Sequence, residues 1–320
     1  MKYYYAPMEG ITDHIFRRAH QKYFPGIDRY YAPFFVPPQS GKPLAPKDIR
    51  ELSPEHNRGI PLVPQILTNN AQNFLRGAEA LRELGYEEVN LNLGCPSGTV
   101  CAKGKGAGFL SHRQELEQFL DEIFEKFSGK ISIKTRLGKE DPEEFAALLE
   151  LYHRYPVVEL TIHPRVQKDF YKNPVRMEYW DGAAADSGIP LCLSGGIATK
   201  SDVDRLFAQR KEPEAIMLGR GLVANPALVL QIQGTGALTT QTLEQFHGEI
   251  FEETASQLGS PRNTMFRMKE LWSFMLLMFD HREKLQKQLR KTTTLTEYQA
   301  TVARILRDLP LREDAEVNWV

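Results

Sequence analysis

From residue 1 to about 237, short apolar runs alternate with segments whose apolar residues recur every three or four positions. The runs YYYAP, RYYAPFF, PLVPQIL, EEVNLNLG, KISIKTRLG, VVELTIHP, PLCLSGG and AIMLGRG read as β-strands. Several are continuously apolar, as strands buried on both faces of a parallel sheet should be. Between them, NNAQNFLRGAEALRELG and SHRQELEQFLDEIFEKF carry apolar residues at helical spacing with polar residues between. The first is expected to stop at Gly85, and the second to start from a Ser111 cap. Eight β/α units in about 240 residues predict an α/β fold, a TIM (β/α)8 barrel, and a doubly wound sheet is the alternative that strand counting leaves open. Past Gly234 and Gly236 the pattern changes. TLEQFHGEIFEETASQLG, RNTMFRMKELWSFMLLMFDHREKLQKQLRK and LTEYQATVARILRDL all read helical, with no strand between them. The expected organisation is a barrel over residues 1–237 and a smaller C-terminal all-α helical domain over 238–320, with the boundary in QGTGALTT.

A chain of 320 residues, 42% hydrophobic and 25% charged, is long enough for one such barrel plus a smaller unit. The start MKYYYAPMEG has no basic segment followed by an apolar one, so no secretory signal is expected. The densest apolar stretch, LWSFMLLMF, falls well short of the roughly 20 residues of a bilayer span. Cys95, Cys101 and Cys192 form neither a CxxC pair nor an even framework, which suits a reducing cytoplasm, and no metal site is expected. The net charge of -1 conceals an asymmetry. Between Arg262 and Asp308 ten Lys or Arg stand against five Asp or Glu. A solvated helical face would account for this excess, and so would a basic module for a polyanion.

In a barrel the chemistry sits at the carboxy-terminal ends of the strands. Those ends carry Pro7, Met8, Glu9 and Gly10; Gln65; Asn92 and Cys95; Lys134 and Arg136; His163 and Arg165; Ser194, Gly195 and Gly196; and Gly219, Arg220 and Gly221. Singly, each has a structural explanation, such as a turn cap or a snorkelling lysine. Jointly, they place polar or titratable groups at nearly every strand end. LSGGIATKSDV and MLGRGLVANP pair glycines with the start of a helical segment, which offers backbone N–H groups to an anion. Loops after strands seven and eight are the usual phosphate site of a barrel, and Arg220 is available as a charged clamp. A phosphorylated cofactor or substrate is expected there.

Lys134 fits two chemistries. It could form a Schiff base with a carbonyl substrate, or hold negative charge on the pyrimidine edge of a reduced flavin. Cys95 favours the second, because reducing a conjugated double bond needs a proton donor opposite the hydride donor. A thiol with an ordinary pKa of about 8.5 is mostly protonated at neutral pH. Cys192 lies in an apolar strand and reads as core. Cys101, in the glycine-rich loop, is a second candidate for the acid.

The motifs APMEGITDHIFR (Ala6 to Arg17), PQIL (Pro64 to Leu67), NLNLGCPSGTV followed by GKGAGFL, IKTRLG, TIHPR, LSGGI and GRG fall in the order seen in tRNA-dihydrouridine synthases. The chain resembles that family of FMN enzymes from Ala6 through the barrel and into the tail, where RMKELWSF is similar to the family's tail helix. The resemblance implies that Pro7, Met8 and Glu9 line the flavin and that Gln65 bonds its ring. It implies further that Lys134 and His163 contact the ring, and that Ser194, Gly195, Gly196, Gly219 and Arg220 hold the phosphate. Asn92 would touch flavin or uracil and Arg165 the substrate, while Cys95 would be the proton donor. One position departs from the pattern: HPRVQKDFY has Val166 where many members have threonine, so this chain offers no hydroxyl there.

The implied reaction is reduction of uridine in tRNA to 5,6-dihydrouridine, with hydride from reduced FMN to C6 and a proton from Cys95 to C5. NADPH or NADH re-reduces the flavin without a GxGxxG domain of its own. Arg267, Lys269, Lys287, Arg290 and Lys291, with Arg262 and Lys284, become candidates for tRNA phosphate contacts. The expected form is a cytoplasmic monomer with no membrane association. The alternatives are an FMN oxidoreductase acting on a small pyrimidine or enone, and an RNA-binding protein that has kept the barrel but lost the chemistry. Retention of Cys95, Lys134 and His163 argues against the latter.

Overall fold

The computed structural model describes residues 1–208 and 210–317, so the last three residues of the expected 238–320 unit lie outside the described residues. The strand segments are β1 (Lys2–Tyr5), β2 (Arg29–Tyr31), β3 (Leu62–Val63), β4 (Gln65–Ile66), β5 (Glu88–Leu93), β6 (Lys130–Arg136), β7 (Leu160–His163), β8 (Leu191–Ser194) and β9 (Ala215–Leu218). They pair in parallel in the order β3-β2-β1-β9-β8-β7-β6-β5-β4. The two ends of that order are separated in the chain by Pro64 alone. Because proline has no N–H to give to a ladder, Leu62–Ile66 changes partner there: β3 pairs with β2, and β4 with β5. The sheet thereby closes into the expected (β/α)8 barrel.

Alternation along each strand sorts side chains between two environments. Val89, Leu91 and Leu93 of β5 and Ile131 and Ile133 of β6 join the large core between sheet and helices. Their neighbours Asn90, Asn92, Ser132, Lys134 and Arg136 line the lumen side, with Asn92 in register with Lys134 and Arg136 with His163. A smaller cluster, including Tyr4, Tyr31, Val63, Cys192 and Met217, fills the barrel interior. At its floor the Tyr4 and Tyr31 hydroxyls donate to the buried Glu159 carboxylate at 2.8 and 2.9 Å, and Arg29 approaches it at 3.9 Å. A buried carboxylate persists only when it is paired in this way.

Helix Ala71–Glu83 ends at Leu84, just before Gly85 at φ +95°, as its sequence predicts. Ser111 does not cap the next helix. That helix starts at Arg113, after a 3-10 turn Gly106–Ser111, and the Ser111 hydroxyl instead donates to the Gly108 carbonyl at 3.1 Å. The turn is pinned beneath the preceding loop, with the Ala107 N–H donating to the Cys95 carbonyl at 3.0 Å.

After Gly234, in the left-handed region, the chain continues as helices Thr240–Leu258, Pro261–Met275, Glu283–Lys291 and Leu295–Asp308. These helices share the barrel's hydrophobic core. Phe246 packs against Phe16 and Phe24 of the first barrel helix region at 5.5 and 5.3 Å between ring centres. The ion pairs Arg18–Glu253 and Lys22–Glu249 flank that contact. No helix among the described residues is long and apolar enough to cross a membrane. The LWSFMLLMF stretch ends helix Pro261–Met275 and packs inward.

Candidate active site

The strand ends open into one cavity of about 860 Å³, within the range of small-molecule and cofactor sites. Its wall contains Pro7, Met8 and Glu9 after β1, Gln65 of β4, Asn92 and Cys95 at the end of β5, and Lys134 and Arg136 of β6. His163 and Arg165 come from the end of β7, Ser194, Gly195 and Gly196 from β8, and Gly219 and Arg220 from β9. Every barrel position expected to bind cofactor thus meets the others at one place.

Two amides organise one wall. The Gln65 amide donates to Asn90 Oδ1 at 2.7 Å and accepts from Asn92 Nδ2 at 2.7 Å. Asn92 then accepts, through Oδ1, the backbone N–H groups of Gly94 and Cys95 at 3.0 and 2.9 Å. One side chain therefore orients Gln65 and shapes the turn that presents Cys95. Arg136, almost fully buried, closes the turn from behind: its Nε donates to the Gly94 carbonyl at 2.9 Å and its Nη1 to the Val166 carbonyl at 2.9 Å. The Val166 N–H goes to Asp169 Oδ2 at 2.9 Å, so the backbone at this position is satisfied without a hydroxyl.

Burial pushes the Cys95 thiol above its ordinary range, with a smaller upward contribution from Cys101. It is therefore a protonated acid at neutral pH, suited to giving a proton rather than attacking as a thiolate. The Cys101 thiol donates to the Cys95 carbonyl at 3.4 Å and does not line the cavity. Cys192 is buried in the barrel interior.

The opposite wall is cationic. Burial, then Arg136, lowers the Lys134 ammonium to about 8, and the Lys134 Nζ donates to Ser194 Oγ at 3.2 Å. Burial, then Arg220 and Arg136, lowers Arg165 to about 10. His163 is held well below its usual value by burial and by Arg136, Lys134, Arg165 and Arg220, and is neutral. Arg165 Nη1 lies 2.8 Å from His163 Nε2. Since arginine can only donate, that nitrogen accepts and the imidazole proton sits on Nδ1.

The burial of Lys134 beside Arg136 has a measurable consequence. An unfolded lysine titrates near 10.4, so from about pH 8 to about 10.4 the unfolded chain binds more protons than the folded one, and stability rises with pH. Calorimetric scans of ligand-free protein over that window should show melting temperature rising relative to Lys134→Met. Parallel curves for the two proteins would refute the assignment.

The glycine turns supply the remaining wall. Gly195 and Gly196 have φ +100° and +76°, conformations that disfavour a side chain. A Cβ on Gly195 would lie 2.8 Å from His163 Nε2, and one on Gly221 would lie 2.5 Å from the Ala198 Cα. The turns after β8 and β9 are thus packed backbone against backbone beside Arg220. This cradle, with Lys134, Arg136 and Arg165 close by, fits an anionic group such as a phosphate.

Outside the barrel the basic residues divide. Arg267 pairs with Asp13 at 2.8 Å and donates to the Ile11 carbonyl at 2.6 Å, fastening helix Pro261–Met275 to the loop after β1. Lys269 donates to the Thr292 carbonyl at 2.5 Å, at the end of helix Glu283–Lys291. Lys287, Arg290 and Lys291 are exposed on that helix. Tyr171, Phe274 and Val317 also line the cavity, and sequence reading did not single them out. Tyr171 lies between the guanidinium groups of Arg136 and Arg220, at 5.2 and 4.7 Å from its ring centre. Only its place eight residues beyond His163, in the loop after a barrel strand, signalled it.

Residues 4–313 match the family described as dihydrouridine synthase (Dus). The chain is 29% identical over 285 residues to a tRNA-dihydrouridine(16) synthase of Pseudomonas putida, covering 85% of this chain and 86% of that protein. It is 24% identical over 304 residues to a probable tRNA-dihydrouridine synthase 2 of Bacillus subtilis, covering 92% and 91%. Among solved structures, a variant of NCR from Zymomonas mobilis superposes with a TM-score of 0.51 at 13% identity, over 74% of this chain and 88% of that one. At that identity the likeness is one of fold.

Proposed function

As the chain belongs to the dihydrouridine synthase family, we propose that its barrel mouth binds FMN and reduces uridine in tRNA to 5,6-dihydrouridine. The observation that carries this reading is the pairing, across one cavity, of a cationic glycine-turn cradle with a protonated thiol. Ser194, Gly195, Gly196, Gly219 and Arg220 hold the phosphate, and Pro7, Met8 and Glu9 pack along the ring. Lys134 faces the ring edge where negative charge develops, with Gln65 and neutral His163 as hydrogen-bonding partners. When bound and reduced by NADPH or NADH, the flavin supplies hydride to C6 of uracil. Cys95 gives its proton to C5 from the opposite side, held in place by Asn92. Arg165 meets the substrate. A uridine stacked in folded RNA must be drawn into the cavity at a cost of a few kcal/mol, and cations of the helical region hold the flanking phosphates. A monomer in a reducing cytoplasm suits both the free thiol and an open RNA face.

The test is direct. Purified protein should be yellow, NADPH should bleach it, and unmodified tRNA transcripts incubated with both should gain the mass of two hydrogens at a uridine. Bleached flavin reoxidised by free pyrimidines or enones, with tRNA unchanged, would favour the small-substrate reading. Reversing Lys287, Arg290 and Lys291 to glutamate should weaken tRNA binding and flatten its salt dependence, by up to about 0.7 in log–log slope for each lost contact to single-stranded RNA. An unchanged slope would remove that helix from the RNA interface.

A further inference from the structure

Helix Pro261–Met275 carries an aromatic side chain that the fold does not use. Met265, Met268, Leu271, Trp272 and Met275 are buried, whereas Phe266 is 64% exposed, the most exposed large apolar side chain among the described residues. Arg262, one turn earlier, holds its guanidinium 5.7 Å from the centre of the Phe266 ring. The pair thus presents an aromatic face backed by a cation.

The location is specific. Arg267, the next residue, is the anchor to Asp13 and Ile11. Glu270 reaches to within 3.7 Å of where a Gly10 Cβ would stand, and Phe274 lines the cavity. The helix therefore runs outward from the cavity rim, and Phe266 lies eight residues from Phe274, about 12 Å along the axis. Through Lys269 this helix also touches the end of helix Glu283–Lys291, with its exposed Lys284, Lys287, Arg290 and Lys291. An apolar face set in a cationic neighbourhood repels a second copy of itself and complements a polyanion that carries flat bases.

We propose that Phe266, backed by Arg262, is a stacking shelf for an unpaired tRNA base near the uridine drawn into the cavity. The proposal rests on the uridine-reducing reading and adds a base-binding element to it. The experiment uses flavin-loaded full-length protein and an unmodified tRNA transcript at fixed salt. Phe266→Ala should weaken binding about 5- to 150-fold, the range for loss of one stacked base, with the salt slope unchanged. Phe266→Trp should restore it, and NADPH should bleach the flavin of both variants at the wild-type rate. Wild-type affinity and KM for tRNA in Phe266→Ala would overturn the proposal, and a sedimentation change without an affinity change would assign the patch to a protein contact instead. Failure of the wild-type enzyme to form dihydrouridine would count against the uridine reading itself, whatever Phe266 does to binding.

Discussion

Cys95→Ala should lose about 10²- to 10⁴-fold in the rate of dihydrouridine formation, with flavin still bound and still bleached by NADPH. The separation of the two half-reactions is the point of the measurement. The thiol lines the cavity, and burial keeps it protonated. Its removal leaves the glycine turns, Lys134 and Arg220 intact and takes away only the proton proposed for C5. Cys101→Ala is the contrasting variant, because its sulfur donates to the Cys95 carbonyl behind the cavity wall. It should cost some stability and keep most of the rate. Stopped-flow bleaching by NADPH, followed by reoxidation with tRNA, reads both steps in one sample. Full turnover in Cys95→Ala, or collapse only in Cys101→Ala, would reassign the acid.

Gly221→Ala should yield protein that is folded but colourless as purified. The added methyl would stand 2.5 Å from the Ala198 Cα and 3.1 Å from the Ala198 and Ile197 carbonyl oxygens, all backbone atoms that no rotamer change can move aside. Relief requires the turns after β8 and β9 to separate, at about 1–3 kcal/mol for overpacking. Separation spoils the cradle beside Arg220, and with it the proposed hold on the phosphate. Gly248→Ala is the control, since its Cβ meets nothing within 4 Å on helix Thr240–Leu258. There alanine should add up to about 1 kcal/mol of helix stability and leave the flavin in place. Wild-type flavin content in Gly221→Ala would show that the packed turns are not the phosphate site.

The barrel was legible because period-two alternation survives even where polar residues enter the strands. In KISIKTR the outward Ile131 and Ile133 mark a strand, while Lys134 and Arg136 on the other face mark a lumen with work to do. The same alternation, applied strand by strand, predicted groups that meet in one cavity. What stayed hidden depends on partners distant in the chain. A basic residue in a sequence declares its charge but not its counterpart, so nothing in the sequence showed that Arg267 pairs with Asp13. Arg136 stood out as a strand-end cation, yet its task of bracing the Cys95 turn against the Val166 carbonyl exists only in three dimensions. Ser111 failed as a cap for a related reason: a 3-10 turn held by the Cys95 carbonyl claimed it first.

The fastening of Arg267 to Asp13 and the Ile11 carbonyl ties the helical region to the rim of the cavity. The loop it grips is the one that carries Met8 and Glu9 to the cavity. On the tRNA reading, the surface that grips RNA and the cavity that accepts the base then form the two jaws of a caliper with a fixed opening. On that proposal, selection among uridines is a measurement of length along the folded RNA, answered by whichever nucleotide the span delivers to the cavity.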